Sequence, residues 1–302
     1  MRYVDYSEEM PGSYDWWFAG DMHIGAAGFK QKLFRKFKRR VNAKKQSFVS
    51  VGGDIIEAIT PDDPRYNIAA ADPTKGRVHS QIRAAVGELK SIKDKIKIVL
   101  FGNHELRIDK RAQINPAEDI ATGLGIEYPK NVKPLKGDDI AHMGDSFQVK
   151  VNLPTVRFLE RHHMNNFTSR AQDEQMGEEH EGRWVKNQLR PLAADCEVML
   201  MHHTHKMRMR PPLEKIRLIH DSKTGKTRGV YPKSMRIPLS KTQYHIPHDQ
   251  VWYGSSGAWL GSYEEGITTY AELGGFPPTE LGALRMIVKN DKLQCVEKVP
   301  FS

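Results

Sequence analysis

The chain has 302 residues, a formal net charge of +9, 39% hydrophobic residues and 27% charged ones. That balance supports a substantial core and excludes a disordered or fibrous chain. No apolar run approaches the roughly 20 residues that span a bilayer, and the start, Met1 to Gly12, lacks the features of a signal peptide. The two cysteines, Cys196 and Cys295, have neither disulfide nor thiolate-metal spacing. They point to a reducing, cytoplasmic setting, with Cys196 a packing residue.

In chain order, Met1 to Asp15 reads as an N-terminal arm and Trp16 to Ala19 as the first core strand. The following Gly20-Asp21-Met22-His23 sets a carboxylate and an imidazole two apart on an extended segment, where alternation turns both the same way. Lys30 to Lys45 carries nine Lys or Arg and no acid, with Phe29, Leu33, Phe37 and Val41 every fourth position. That spacing predicts an amphipathic helix whose basic outer face is either simply solvated or steers phosphate. A strand over 48–52 then reaches Gly53 and Asp54, and a Pro-rich loop covers 61–76. A helix from Val78 to Leu89 leads into a strand over 96–101, which ends in Gly102-Asn103-His104-Glu105.

Loop and helix are expected from there to Gly123, and a strand is expected from Asp139 to Asn152. A strand over 155–160 precedes Arg161-His162-His163-Met164, and 168–190 is helical with Trp184, Val185 and Leu189 inward. The strand 197–201 delivers His202-His203-Thr204-His205. Residues 206–241 hold eleven Lys or Arg against Glu214 and Asp221, a surplus equal to the whole net charge. A hairpin turn is expected at Thr224-Gly225-Lys226. Strands at 251–253, 283–289 and 293–298 complete the fold. Alternating strands and helices predict an α/β (α+β) domain, residues 1–302, with a basic hairpin-like insertion around 206–245.

Apolar runs that end in carboxylates, an amide and imidazoles describe a metal site at the carboxyl edge of a sheet. Without thiolate, such donors suit Mn, Fe, Ni or Zn. Two cations about 3.5–4 Å apart clamp a phosphoryl group and generate hydroxide at neutral pH. Such closeness needs a bridging carboxylate, and Asp54, alone at its strand end, is the best candidate. His104 is then free to act as general acid toward the leaving oxygen. Arg107 is either a phosphate contact or a surface residue.

Taken together, Asp21-x-His23, Gly53-Asp54, Gly102-Asn103-His104-Glu105, a later His and His203-x-His205 resemble the five-block signature of calcineurin-like metallophosphoesterases. The blocks occur in order from residue 21 to 205. The resemblance implies a four-layer α/β/β/α sandwich of two mixed sheets flanked by helices. It implies one metal on Asp21, His23, Asp54 and His205, and a second on Asp54, Asn103, the later His and His203. It leaves His104 as the group that meets the substrate. The later His is read as His162, the first residue past its strand, with His163 and His142 as alternatives. His202 stands where the family has glycine, a position from which it either crowds the second metal or points away. The tail from Gly254 to Tyr270 is similar to phage-encoded and bacterial members.

The expected function is a dinuclear phosphodiesterase or nuclease related to the DNA-repair branch, with manganese the first choice of metal. Nucleic acid is the expected substrate, with Lys206, Arg208 and Arg210 following its backbone from a strand beside the metals. The alternatives are a phosphomonoesterase and a non-catalytic, metal-containing module that binds nucleic acid or a partner.

Overall fold

Successive aromatics in Trp16-Trp17-Phe18 face opposite ways along an extended segment, and this alternation sets the layering of the molecule. The computed structural model describes residues 2–302 except 62, 64–65, 127–146, 164–173, 214–216, 231–235, 241–242, 264–265, 267–268, 270–271, 273–274 and 276. His142 and the expected strand over 139–146 lie outside the described residues.

The first half contains β1 (Arg2–Asp5), β2 (Tyr14–Ala19), α1 (Gln31–Ala43), β3 (Ser47–Val51), α2 (Val78–Leu89), β4 (Ile96–Val99), α3 (Asn103–Ala112) and α4 (Pro116–Leu124). The second half begins with β5 (Gln148–Asn152), β6 (Arg157–His162), α5 (Glu174–Leu189), β7 (Val198–His202) and β8 (Arg208–Arg210). It continues through β9 (Arg217–Asp221), β10 (Lys226–Val230), β11 (Ile237–Pro238), β12 (Tyr244–His245), β13 (Trp252–Ser255), β14 (Gly282–Lys289) and β15 (Lys292–Pro300).

Two mixed sheets form the centre, one ordered β1-β5-β6-β7-β13-β8 and the other β15-β14-β2-β3-β4. Trp16 and Phe18 point between the sheets and meet Phe158 at 5.1 and 5.2 Å between ring centroids. Trp17 points the other way, against Phe37 of α1 at 5.6 Å. That outer layer also buries Phe34, Val41, Ile82, Ala85, Leu89, Ile108 and Ile120, from α1 through α4. On the opposite side Val185 and Leu189 of α5 cover Leu159, Cys196, Met199 and Met201. The result is an α/β/β/α sandwich. Among the described residues no helix is long and apolar enough to cross a membrane.

Three expectations about elements change. The N-terminal segment is not a free arm, because Arg2–Asp5 pairs in parallel with Gln148–Asn152 and extends a sheet. That partner is far away in sequence, so local periodicity carries no trace of it. Asn103 and His104 are the first residues of α3, held by a Gly102 cap to which Glu105 reaches back. His162 is the last residue of β6, in register with His202, and does not lie past the strand. The basic segment contains the β9–β10 hairpin, with Asp221 opposite Lys226 and Gly225 at φ 66° in its turn.

Candidate metal centre

The ends of β2, β3, β4, β6 and β7 meet at one edge, and the loops leaving them bring the polar residues together. Asp21, His23 and His205 form one group, and Asp54, His162 and His203 a second; within each, donor atoms lie within 4.8 Å of one another. In the first group the Nε2 atoms of His23 and His205 stand 3.2 Å apart, and His205 Nε2 is 3.5 Å from Asp21 Oδ1. Two nitrogens each roughly 2.0–2.1 Å from a shared cation stand about 3 Å apart, so this spacing suits a common ion. In the second group His162 Nε2 lies 3.4 Å from Asp54 Oδ2 and 3.1 Å from Asn103 Oδ1.

The backbone does not deliver these donors by extended alternation, as expected for Asp21 and His23. Both have φ 52°, and Asp54, His203 and His205 have φ 46°, 93° and 54°. Left-handed backbone costs an L-residue about 1 kcal/mol or more, and such strain concentrates at functional sites. Cross-loop bonds hold it in place: Asp21 N donates to Gly53 O and His23 N to Asp54 O, both at 3.0 Å. The Glu105 carboxylate, fully buried, accepts the amides of Gly102, Asp54, Ile55 and Ile56 at 2.8–3.2 Å. Burial and the neighbouring Asp54 charge push its pKa up to about 7.

Hydrogen bonds also select the tautomers. His162 Nδ1 donates to Gly52 O at 2.8 Å, and His23 Nδ1 to Glu57 Oε2 at 2.8 Å. In each ring Nε2 is left to face the centre, the usual arrangement behind a metal ligand. Sequence reasoning missed Glu57; its spacing of three from Asp54 was the available signal. Asp21 Oδ1 and His203 Nδ1 are buried without a hydrogen-bond partner. Orphaned donors of this kind, in an oxygen and nitrogen set without thiolate, fit divalent cations.

His104 sits beside both groups and forms a third cluster with His23 and Glu57, with donor atoms within 4.8 Å of one another. Its Nδ1 is bonded to the Glu57 carbonyl, its Nε2 is 3.9 Å from Asp54 Oδ2, and its ring centroid is 4.7 Å from that of His23. His163 instead turns away, edge-on to Trp184 of α5 at 5.1 Å. His202 points away as well: Nδ1 meets Ser256 Oγ at 2.5 Å and Nε2 meets Glu160 Oε1 at 2.8 Å, all three side chains fully buried. Its ring occupies space that Gly20 and Gly52 leave open, where an added Cβ would come within 2.5 and 2.2 Å of it. It does not crowd the donors.

The expected substrate contacts are largely committed elsewhere. Arg107 pairs with buried Asp63 at 2.6 Å. Lys206 precedes β8 and donates to Pro278 O at 2.5 Å. Arg208, buried, pairs with Glu181 at 2.8 Å and Glu280 at 2.6 Å. Arg210 packs along α5 near Gly182. Only Arg208 and Arg210 share a strand, so the expected stripe of three is not formed.

Protons and cations compete for the ring nitrogens. Burial opposes charge on His23 and His162, yet Glu57 for the first and Asp54 for the second outweigh it and hold each near pKa 9. Burial, aided by the His162 charge, pushes His203 down to about 4. Below about pH 9 a cation must therefore displace protons from His23 and His162, while His203 has none to lose. Metal affinity is expected to rise with pH up to about 9 and to release up to two protons. Calorimetry in buffers of different ionisation enthalpy counts those protons; affinity independent of pH would contradict the assignment of these rings as ligands.

No protein-family model matches the chain, and no curated protein matches it. Among solved structures, Vps29 of Chaetomium thermophilum is similar at 13% identity and TM-score 0.35, over 96% of this chain and 98% of that one. NAD nucleotidase (NadN) of Haemophilus influenzae is similar at 12% identity and TM-score 0.38, over 95% of this chain and 50% of its own. PhoD is similar at 10% identity and TM-score 0.39, over 98% of this chain and 70% of its own. All three likenesses are distant in sequence and in superposition.

Proposed function

We propose that this chain is a dinuclear, metal-dependent phosphoesterase that hydrolyses phosphodiester bonds, with nucleic acid as its substrate class. The observation that carries the reading is a pair of adjacent donor groups, with Asp54 in the second and its backbone carbonyl bonded to His23 of the first. The first comprises Asp21, His23 and His205, the second Asp54, His162, His203 and Asn103. Asp54 Oδ1 accepts the His104 amide at 2.9 Å, which leaves Oδ2 toward the centre. When bound, a pair of divalent cations, with manganese first and iron, zinc or nickel as alternatives, polarises the phosphoryl oxygens and acidifies water.

The chain's own residues do the rest. Glu57 and the Gly52 carbonyl fix the rings of His23 and His162. The Glu57 carbonyl holds His104 Nδ1–H, so the imidazolium form of His104 would give its Nε2 proton to a leaving oxygen and return to the neutral Nδ1–H ring. The net charge of +9 favours a polyanionic substrate. A second reading, a phosphomonoesterase, is favoured by the pairing of Lys206 and Arg208 with Glu280, which offsets charge at the start of the basic segment, next to His205.

Turnover of a chromogenic phosphodiester and the matching monoester, with added Mn²⁺ or Ni²⁺, tests both. Faster diester cleavage, abolished by chelation, is the expected result. Preferential monoester cleavage selects the second reading, and no turnover of either overturns the enzyme assignment.

A further inference from the structure

We propose that the outer face of α1 is a docking surface for the phosphate backbone of nucleic acid, a surface separate from the basic segment 206–241. The inference rests on the phosphoesterase reading only for its relation to substrate; the binding itself stands on the helix.

Residues 30–46 contain no acid. Phe34, Phe37 and Val41 bury the inner face of α1, and this fixes the opposite side outward. Lys32, Arg35, Lys36 and Arg39 fall on that side at i, i+3, i+4 and i+7, all exposed. At 1.5 Å per residue the stripe runs about 10 Å, enough to meet successive phosphates along a groove edge.

The neighbouring 3₁₀ turn, Lys90–Lys95, widens the patch. It is tied to α1 by Asn42 Nδ2 donating to Ser91 O at 3.0 Å and by Lys95 Nζ donating to Lys44 O at 2.6 Å. Lys45, Lys90 and Lys93 are exposed there, with Asp94 the exposed acid of that turn. Glu88, the other nearby acid, is already paired with Lys38 at 2.7 Å. Among the described residues Lys32, Arg39 and Lys45 have no carboxylate partner.

The backbone just before α1 is tied to the backbone of Asp21 through Trp259. Lys30 N donates to Trp259 O at 2.8 Å, and Trp259 N donates to Asp21 O at 2.9 Å.

Charge alone would also attract an anionic membrane, but a membrane-surface helix inserts its apolar face, and that of α1 is in the core. Phosphate contacts need only the charged face, and Arg supplies paired donors suited to them.

The test uses the full chain in chelator, so binding is read without cleavage. Fluorescence anisotropy with a labelled duplex is measured across a salt series for the parent, for Lys32→Gln/Arg35→Gln/Arg39→Gln, and for a control triple. The control, Lys289→Gln/Lys292→Gln/Lys298→Gln, removes the same charge from the exposed β14–β15 edge. Loss of three phosphate contacts should flatten the log–log salt slope by about 2.7, a change of about 40-fold in the affinity ratio between about 50 and 200 mM salt.

The control should keep the parent slope, and the α1 triple should keep its turnover of a small diester. Equal losses in both triples, an unchanged slope in the α1 triple, or no binding of duplex by the parent would each overturn the proposal. So would tighter, α1-dependent capture by phosphatidylserine vesicles. Absence of diester turnover would instead count against the enzyme reading and leave this binding result intact.

Discussion

Replacing Asp54 by Asn is expected to remove metal and activity together while the fold survives. Its carboxylate stands with His162 and His203, its charge also acts on Asp21 and His23, and burial opposes that charge. The surrounding imidazoles, led by His162 and His104, nevertheless hold its pKa well below the usual carboxylate range. An amide keeps the contact from the His104 amide but withdraws the negative charge that two cations would share. Several kcal/mol of Lewis-acid stabilisation then disappears, about three decades in rate. Elemental analysis and diester turnover on the same preparation check this, with circular dichroism to confirm the fold. Full metal content with parental turnover would remove the dinuclear reading.

His104→Gln separates proton transfer from metal binding. His104 Nε2 is 3.9 Å from Asp54 Oδ2, and in the cluster it forms with His23 and Glu57 the Glu57 carboxylate already holds His23 Nδ1 and the Glu57 carbonyl holds His104 Nδ1. The variant is therefore expected to retain its metals and lose about 10²–10⁴-fold in turnover, the usual contribution of general acid catalysis. The loss should shrink for a nitrophenolate leaving group, which departs without a proton. A uniform loss across leaving groups, accompanied by loss of metal, would show that the ring holds the site together instead.

These two expectations were legible in the sequence because the donors stand at the ends of apolar runs, and burial of a strand is written in local hydrophobicity. The first core strand, Trp16 to Ala19, was legible for the same reason, whereas the four-layer arrangement came from the family resemblance. What the residues did not show is of another kind. The positive φ of Asp21, His23 and Asp54 depends on bonds between loops some thirty residues apart. Nothing in a polar tetrapeptide distinguishes such a turn from an extended segment. The pairing of β1 with β5 joins residues near 4 and 151, a contact without a periodic signal. Arg208 read as a free cation because Glu181 and Glu280, which neutralise it, come from α5 and from a loop beyond β13. Glu57 was passed over because it lies three residues past its strand-end block, a weak signal, and its bond to the His23 ring is set by the fold.

The seating of the His202 ring on Gly20 and Gly52 limits the order in which this part of the chain can change over generations. While the imidazole is present, an alanine at position 52 would put a carbon 2.2 Å from Nε2. Overpacking of that kind costs about 1–3 kcal/mol, and there is little room here to relax it. Loss of the ring must come first, and it strands Glu160 and Ser256, which are buried on either side of it. Once a glycine has been replaced, a returning histidine has no place to sit. The packing therefore couples the three positions: histidine at 202 and a side chain larger than glycine at 20 or 52 compete for the same space.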